Sequence, residues 1–393
     1  MSDADQKASV NDQAPSGAPG GGGEAGGDGR WQTKLNPIAA RLTGGASSRR
    51  QSIFLAVLLA VAVVLPFALG SNRWITLLTV VVIYVVLASG LNIVVGFTGL
   101  LDLGYVAFYA IGAYYTAIIF YQVLKVKFGV EVDDYWWLMW VNLLVGGLLA
   151  SLAGVLIGYP TLRVRGDYLA IMTLAFGEII RIVASNWVGL TRGPSGIPGI
   201  PKPELFGFKF QEQISLYFLA LVIAVASLWA ISRIVRSRIG RAWTAIREDE
   251  VAAEAMGIHT SRYKLLSYAT GAFFAGVMGV YFGHYINFIS PSSFMLMESF
   301  VILSLVVLGG MGNIWGPVLG AVIWISLQEW LRDFSFVQTH PETRGIAMGL
   351  VLVLLMVFRP QGLLGSVRVA LEMKPGTRKE AEQERDVWSD ARG

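Results

Sequence analysis

Two ionisable residues, Glu178 and Arg181, stand three apart in a stretch, 168–188, that otherwise reads as apolar. Three apart on a helix means one face, where a carboxylate and a guanidinium can pair. Ionisable side chains in hydrocarbon are costly, and they mark either a working site or a neutralised pair. A fixed pair has no free charge to offer a ligand, so the residues by themselves favour a structural lock on that helix. Asn92, uncharged in another apolar stretch, suits a hydrogen bond either to a solute or to a neighbouring helix. Asp102 lies beside a glycine turn and reads as a loop cap, while His284 and Asn287 read as interfacial, near the outer end of a span. Catalytic chemistry is missing. Cysteine is absent and the three histidines (His259, His284, His340) lack metal-ligand spacing, so neither thiol chemistry nor a metal or other cofactor is expected. No Ser–His–Asp set, paired carboxylates or GxxxxGK[ST] loop occurs, so any ATP is hydrolysed by another protein.

The elements that hold these residues are set by composition. The 393-residue chain is 54% hydrophobic and 15% charged, whereas soluble domains carry about 25% charged residues. A membrane crossing needs about 20 apolar residues. Runs of that kind predict spans at 51–72, 74–101, 103–124, 135–162, 168–188, 213–232 and 265 to about 288. The uncharged run 299–328, broken by GGMGNIWGP at 309–317, predicts two short tilted helices or a re-entrant hairpin, with Glu298 and Glu329 on one side either way. A last run, 345–358, is short and needs Arg344 and Arg359 to snorkel if it is to span. The fold class is therefore an all-α polytopic membrane protein of about 8–10 transmembrane helices, some short or broken. Residues 1–50 form a Gly-rich polar tail expected to be disordered, 51–365 the membrane domain, and 366–393 a polar C-terminal tail.

Charge orients the spans. With ten crossings, 22 of the 31 lysines and arginines fall on the side of both termini, eight fall on the other side, and Arg181 lies within a span. That bias makes the first side, and both termini, cytoplasmic. The same side receives 232–264, a hydrophilic loop with seven basic residues and four acids. Within it Asp249 can cap a helix, Glu250 suits the positive helix start, and Gly257 can end it. Two turns of helix over 250–256 follow, carrying the small Ala252, Ala253 and Ala255.

The run EVAAEAMG at 250–257 resembles the EAA loop of ABC-transporter permeases, the cytoplasmic segment that docks on the ATPase subunit. GRAWTAIREDEVAAEAMGI (240–258), GLNIVVGFTGLLDLGYVAFYAIGAY (90–114) and GGMGNIWGPVLGA (309–321) are similar to one branch, the permeases for branched-chain amino acids. The resemblance covers most of 74–365 and neither tail. It implies an ABC importer permease fold and makes 232–264 an ATPase-coupling loop in which Arg241, Arg247, Glu250, Ala253 and Gly257 are the candidate residues. Glycine-rich breaks in both halves suit either a translocation pathway or close helix packing, and the resemblance favours the pathway. Its candidates are then Asn92, Gly96, Gly99, Tyr109, Glu178, Arg181, Gly310 and Gly312. The implied partners are a homologous second permease, two ATP-binding subunits, an extracytoplasmic solute-binding protein and the bilayer of a bacterial inner membrane, with a small-molecule substrate and no nucleic acid. Leucine, isoleucine and valine are the implied cargo. Urea or short amides on the same architecture are the alternative, then an ion-coupled secondary transporter, which usually shows an unpaired intramembrane acid.

Overall fold

The computed structural model describes residues 60–364 except 69, 130–136, 163, 165, 206–207, 211, 334–338, 340–341 and 359–361. The predicted tails 1–50 and 366–393, Arg163, Arg165 and the beginning of the first predicted span lie outside the described residues. Everything described belongs to one unit, Ala46–Gly393.

Helix dominates because apolar runs in hydrocarbon must satisfy every backbone group internally. In chain order the long helices are α1 (Asn72–Asn92, prolonged by a π-helical turn Ile93–Phe97), α2 (Val106–Ala117, prolonged as π-helix through Ile118–Lys127), α3 (Leu138–Thr161), α4 (Asp167–Asn186) and α5 (Gln213–Val235). Two short helices follow, α6 (Arg238–Glu248) and α7 (Glu250–Ala255), then α8 (Thr260–Ile286), α9 (Leu296–Gly309), α10 (Gly316–Arg332) and α11 (Glu342–Phe358). Seven of the described helices are long and apolar enough to cross a membrane; α10 and α11, at 17 residues each, stand beside them. The sheet is minimal. Strands β1 (Ile197–Pro198), β2 (Glu204–Leu205), β3 (Phe208–Lys209) and β4 (Phe288–Ile289) form two antiparallel pairs, β1 with β4 and β2 with β3.

The core is built around α8, which packs on α1, α2 and α3. Small residues make that possible. A Cβ on Gly112 of α2 would meet the Gly276 carbonyl of α8, and one on Gly276 would meet the Gly146 carbonyl of α3. Apolar side chains gain little by associating in lipid, so backbone approach of this kind supplies much of the packing. At its C-terminal end α8 stops on Asn287, in left-handed conformation at φ +59°, and the Asn287 amide donates to the Ile200 carbonyl at 2.7 Å. His284, expected at the interface, is instead buried, with Nδ1 2.8 Å from the Pro201 carbonyl oxygen. The pair staples the loop after α4 onto α8.

The 299–328 run resolves into α9 and α10, joined by a glycine loop. Glu298 and Glu329, expected at a common boundary, lie at different depths. Arg73, at the start of α1, pairs with Glu329 and Asp333 at the end of α10. Glu298 instead accepts a hydrogen bond from Tyr84, 11 residues further along α1 and therefore about 16 Å deeper. The chain from Asn287 to Met295 runs back from the C-terminal end of α8 as a short strand and a 3-10 turn before α9 begins. In the other half, the non-helical stretch 98–105 separates α1 from α2. The first N–H of α2, Val106, donates to Ser299 Oγ of α9 at 3.1 Å, so the starts of the two interrupted helices meet.

Candidate functional site

The loop 232–264 folds as two helices rather than one. In α6, Ile239, Ala242, Trp243 and Ile246 recur at helical spacing and turn inward, Trp243 fully buried, while Arg238, Arg241 and Glu248 point out. Ser237 caps α6 by accepting from the Ile239 N–H at 3.1 Å. The Trp243 indole donates to the Tyr263 carbonyl at 2.8 Å, fixing α6 against the start of α8. Asp249 separates α6 from α7, and its Oδ1 accepts from the Val251 and Ala252 N–H groups at 2.8 and 3.0 Å, as its position predicts. Gly257, at φ +83°, ends α7 in a conformation that L side chains avoid. The Ile258 N–H then returns to the Ala253 carbonyl at 3.0 Å.

Lys264 orients this unit, with Nζ 2.5 Å from Glu250 Oε1, so α7 is tied to the first turn of α8. Ala253 faces inward and is buried, whereas Val251 and Met256 are 72% and 83% exposed. The outer face of α7 is thus apolar and small, set among exposed charges.

Arg247, near the end of α6, reaches back to the membrane domain. Its Nη1 donates to the Gly96 carbonyl, its aliphatic stem lies against Gly99, and a Cβ on Gly312 would collide with its guanidinium. Asn92 closes the same junction from α1: its Nδ2 donates to the Asn313 carbonyl at 2.9 Å, and its Oδ1 accepts from the Gly312 N–H at 3.0 Å. Asn92 spends both ends of its amide on the glycine loop, which is the helix-glue alternative. Gly310 adopts φ +113° and Gly312 φ +77°, so the loop turns tightly enough to present its backbone to Asn92. The Leu363 and Leu364 N–H groups donate to the Leu308 and Gly309 carbonyls at 2.9 Å each, satisfying the end of α9. Asn92, Gly96, Gly99 and Gly312 therefore belong to one node with Arg247, at the α6 end of the membrane domain.

Residues 73–356 match a family model described as branched-chain amino acid transport system / permease component. The chain belongs to this family. It is 41% identical over 357 residues to the high-affinity branched-chain amino acid transport system permease protein LivM of Escherichia coli K12, covering 85% of this chain and 79% of that protein. It is 28% identical to LivH of the same strain (73% and 92% covered) and 26% identical to BraD of Pseudomonas aeruginosa (74% and 94%). No solved structure matches the chain.

In this permease the remaining candidates lie away from the glycine node. The Tyr109 ring sits 5.3 Å from that of Phe282 and 5.4 Å from that of Phe294. Glu178 and Arg181 pair within α4, with Arg181 Nε 3.0 Å from both carboxylate oxygens and Nη2 on Oε1. They are half-exposed on the least covered span: 28% of the apolar window of α4 is buried, against 83% for α1. Arg241 is exposed and makes no side-chain hydrogen bond to the described residues.

Asp102 is buried in the loop between α1 and α2, with Oδ1 accepting from the Gly104 N–H at 2.9 Å, so the loop-cap reading fits. Its Oδ2 has no partner among the described residues, and burial pushes its pKa up to about 7 against the pull of the Gly104 N–H and Thr173. Sequence reasoning missed Glu298 and Tyr84 as a pair, and Val251 and Met256 as an exposed apolar face. The turn residues Ser290-Pro291-Ser292-Ser293 were the available signal for Glu298, because a helix that must begin after them carries Glu298 in its first turn.

Proposed function

We propose that this chain is the membrane-embedded subunit of an ATP-driven importer for leucine, isoleucine and valine, and that it couples to its ATPase through α7. The supporting observation is Arg247. One residue before the helix pair turns outward to present Val251 and Met256, the same α6 sends a guanidinium onto the glycine breaks of both halves of the membrane domain. An ATPase seated on α7 would move α6 with it, and any shift of Arg247 would change how the backbones at Gly96 and Gly312 sit together. The permease then supplies shape and coupling, while hydrolysis belongs to two ATP-binding subunits and delivery to a solute-binding protein on the opposite side. A second, homologous permease completes the pathway. The uncovered α4 supports that reading, since an ion pair half-exposed in hydrocarbon is expensive unless protein or water covers it. With 232–264 and both termini in the cytoplasm, transport runs inward across the inner membrane of a bacterium.

The test uses the complete transporter purified in mild detergent and reconstituted with its binding protein. Met256→Glu puts a charge where an apolar contact is proposed; about 3 kcal/mol, on the order of a hundredfold in affinity, should be lost. The ATPase should no longer co-purify, with the permease still monodisperse. Met256 is a cleaner probe than Gly257, whose positive φ makes any side chain there strained. Arg247→Ala should keep the ATPase bound and hydrolysing while leucine uptake per ATP falls at least tenfold. Normal co-purification and uptake with Met256→Glu would refute docking on α7.

A further inference from the structure

Glu298 has no role in the coupling just described, and its position is unusual. It lies in the first turn of α9, against Tyr84, which is 12 residues and about 18 Å into α1. In a hydrocarbon core about 30 Å thick that depth is near the middle. Tyr84 donates to Oε2 at 2.5 Å, and Oε1 accepts no hydrogen bond from the described residues. Neither Lys, Arg nor His forms an ion pair with Glu298 among the described residues, in contrast to Glu178, which has Arg181. An acid at this depth without a counter-charge costs several kcal/mol, and by default marks a place where a cation arrives.

What surrounds the carboxylate suits one class of cation. Tyr109, Phe282 and Phe294 pack ring to ring, at centroid separations of 5.3, 5.4 and 6.2 Å, and Phe294 stands four residues before Glu298 in the chain. Aromatic faces attract an ammonium group, and more strongly where water is scarce. Tyr114, whose ring is 5.8 Å from that of Phe294, is buried with a hydroxyl that has no partner among the described residues, so the cluster holds an unused polar group. Tyr84 holds the carboxylate by its hydrogen bond, and Glu298 stands in the first turn of α9, beside the positive helix end. Non-helical backbone at membrane depth, as at 287–295, belongs where it lines a cavity or is enclosed by protein.

We infer that Glu298, with Tyr84 and the rings of Tyr109, Phe282 and Phe294, receives the α-ammonium group of the transported amino acid midway across the membrane. This rests on the importer reading and adds a substrate contact to it. The carboxylate neutralises the ammonium where solvent no longer can, and the rings fill the space beside it. Tyr84 holds one oxygen so that the other stays presented.

Two arms test it, both on the whole transporter in nanodiscs or proteoliposomes. In the first, Glu298→Gln should lower leucine uptake at least tenfold while ATP hydrolysis stimulated by the binding protein stays within twofold of wild type, and Glu298→Asp should recover part of the uptake. In the second, saturation-transfer NMR without the binding protein detects millimolar leucine on the wild-type transporter. Isopentylamine, which keeps the ammonium, should displace it, and 4-methylpentanoate, which lacks it, should not. The second arm needs no variant, so a poorly assembled Glu298→Gln leaves the test intact. Equal displacement by both analogues, or full uptake by Glu298→Gln, overturns the inference. So does wild-type uptake that carries protons in proportion to leucine, which would assign the acid to proton coupling. Absence of branched-chain amino-acid uptake by wild type would instead sink the importer reading.

Discussion

Replacing Asp102 with asparagine turns a buried carboxyl into a measurable quantity. In the unfolded chain this carboxyl titrates at the ordinary value of 3.8, and in the folded protein burial raises it to about 7. Between those values the folded protein keeps a proton that the unfolded chain has released. Stability attributable to this group is therefore greatest below about pH 4, falls as pH rises through the window, and reaches its minimum above pH 7. The interval corresponds to on the order of 4 kcal/mol. Asparagine cannot ionise and retains an oxygen to accept the Gly104 N–H, so it should remove the penalty without removing the cap. Thermal unfolding in a fixed detergent from pH 5 to pH 8 reads this directly. Asp102→Asn should melt several degrees above wild type at pH 8, and the gap should narrow steadily toward pH 5. A gap that ignores pH, or a wild type that gains on the variant as pH rises, would refute the assignment of a buried, proton-holding carboxyl.

The glycine node and the α4 pair give two further expectations. Asn92→Ala strands the Gly312 N–H and the Asn313 carbonyl, and should cost about 2–4 kcal/mol, read as a lowered melting temperature with reduced uptake; an unchanged melting temperature would show that the clamp does not form. Exchanging Glu178 and Arg181 preserves an i, i+3 pair, so uptake should exceed that of Glu178→Gln or Arg181→Gln alone, because each single variant leaves one charge uncompensated. Equal loss in all three would mean that one of the positions contacts solute itself.

Local chemistry was legible in the sequence and long-range pairing was not. The helix expected at 250–256 is Glu250–Ala255, because an Asx cap and a glycine stop act within a few residues. The spans were legible for the same kind of reason: an apolar run of about 20 residues states its own length. Position is another matter. Arg247 meets Gly96 across 151 residues of sequence, and Asn92 meets Gly312 across 220, and no local pattern announces either contact. Glu298 was read as a boundary because it borders an uncharged run. Only the return of 287–295 from the C-terminal end of α8 sets it against Tyr84, well inside α1. The apolar stripe of α6, Ile239, Trp243 and Ile246, is diluted in the sequence by the basic residues that alternate with it.

The two ends of α9 connect these observations mechanically. Its first turn carries Glu298 and its last residue, Gly309, opens the loop that Asn92 clamps and Arg247 touches at Gly312. The helix runs unbroken from Glu298 to Gly309, a rise of about 16 Å. A packed helix transmits displacement along its axis far better than it bends, since bending needs a proline, a bulge or an inserted group, and α9 has none of these. On the proposed reading, a shift of α6 that moves the Gly310–Gly312 backbone must therefore displace Glu298 or break the clamp. Loosening the helix between its ends distinguishes these cases. Val306→Gly, in the last turn of α9 and buried, should weaken the lever by removing side-chain packing and about 0.4 kcal/mol of helix preference. Leucine uptake per ATP should then fall while ATPase binding to α7 stays intact. If uptake per ATP holds at the wild-type ratio in an assembled Val306→Gly transporter, motion reaches the middle of the membrane by some element other than α9.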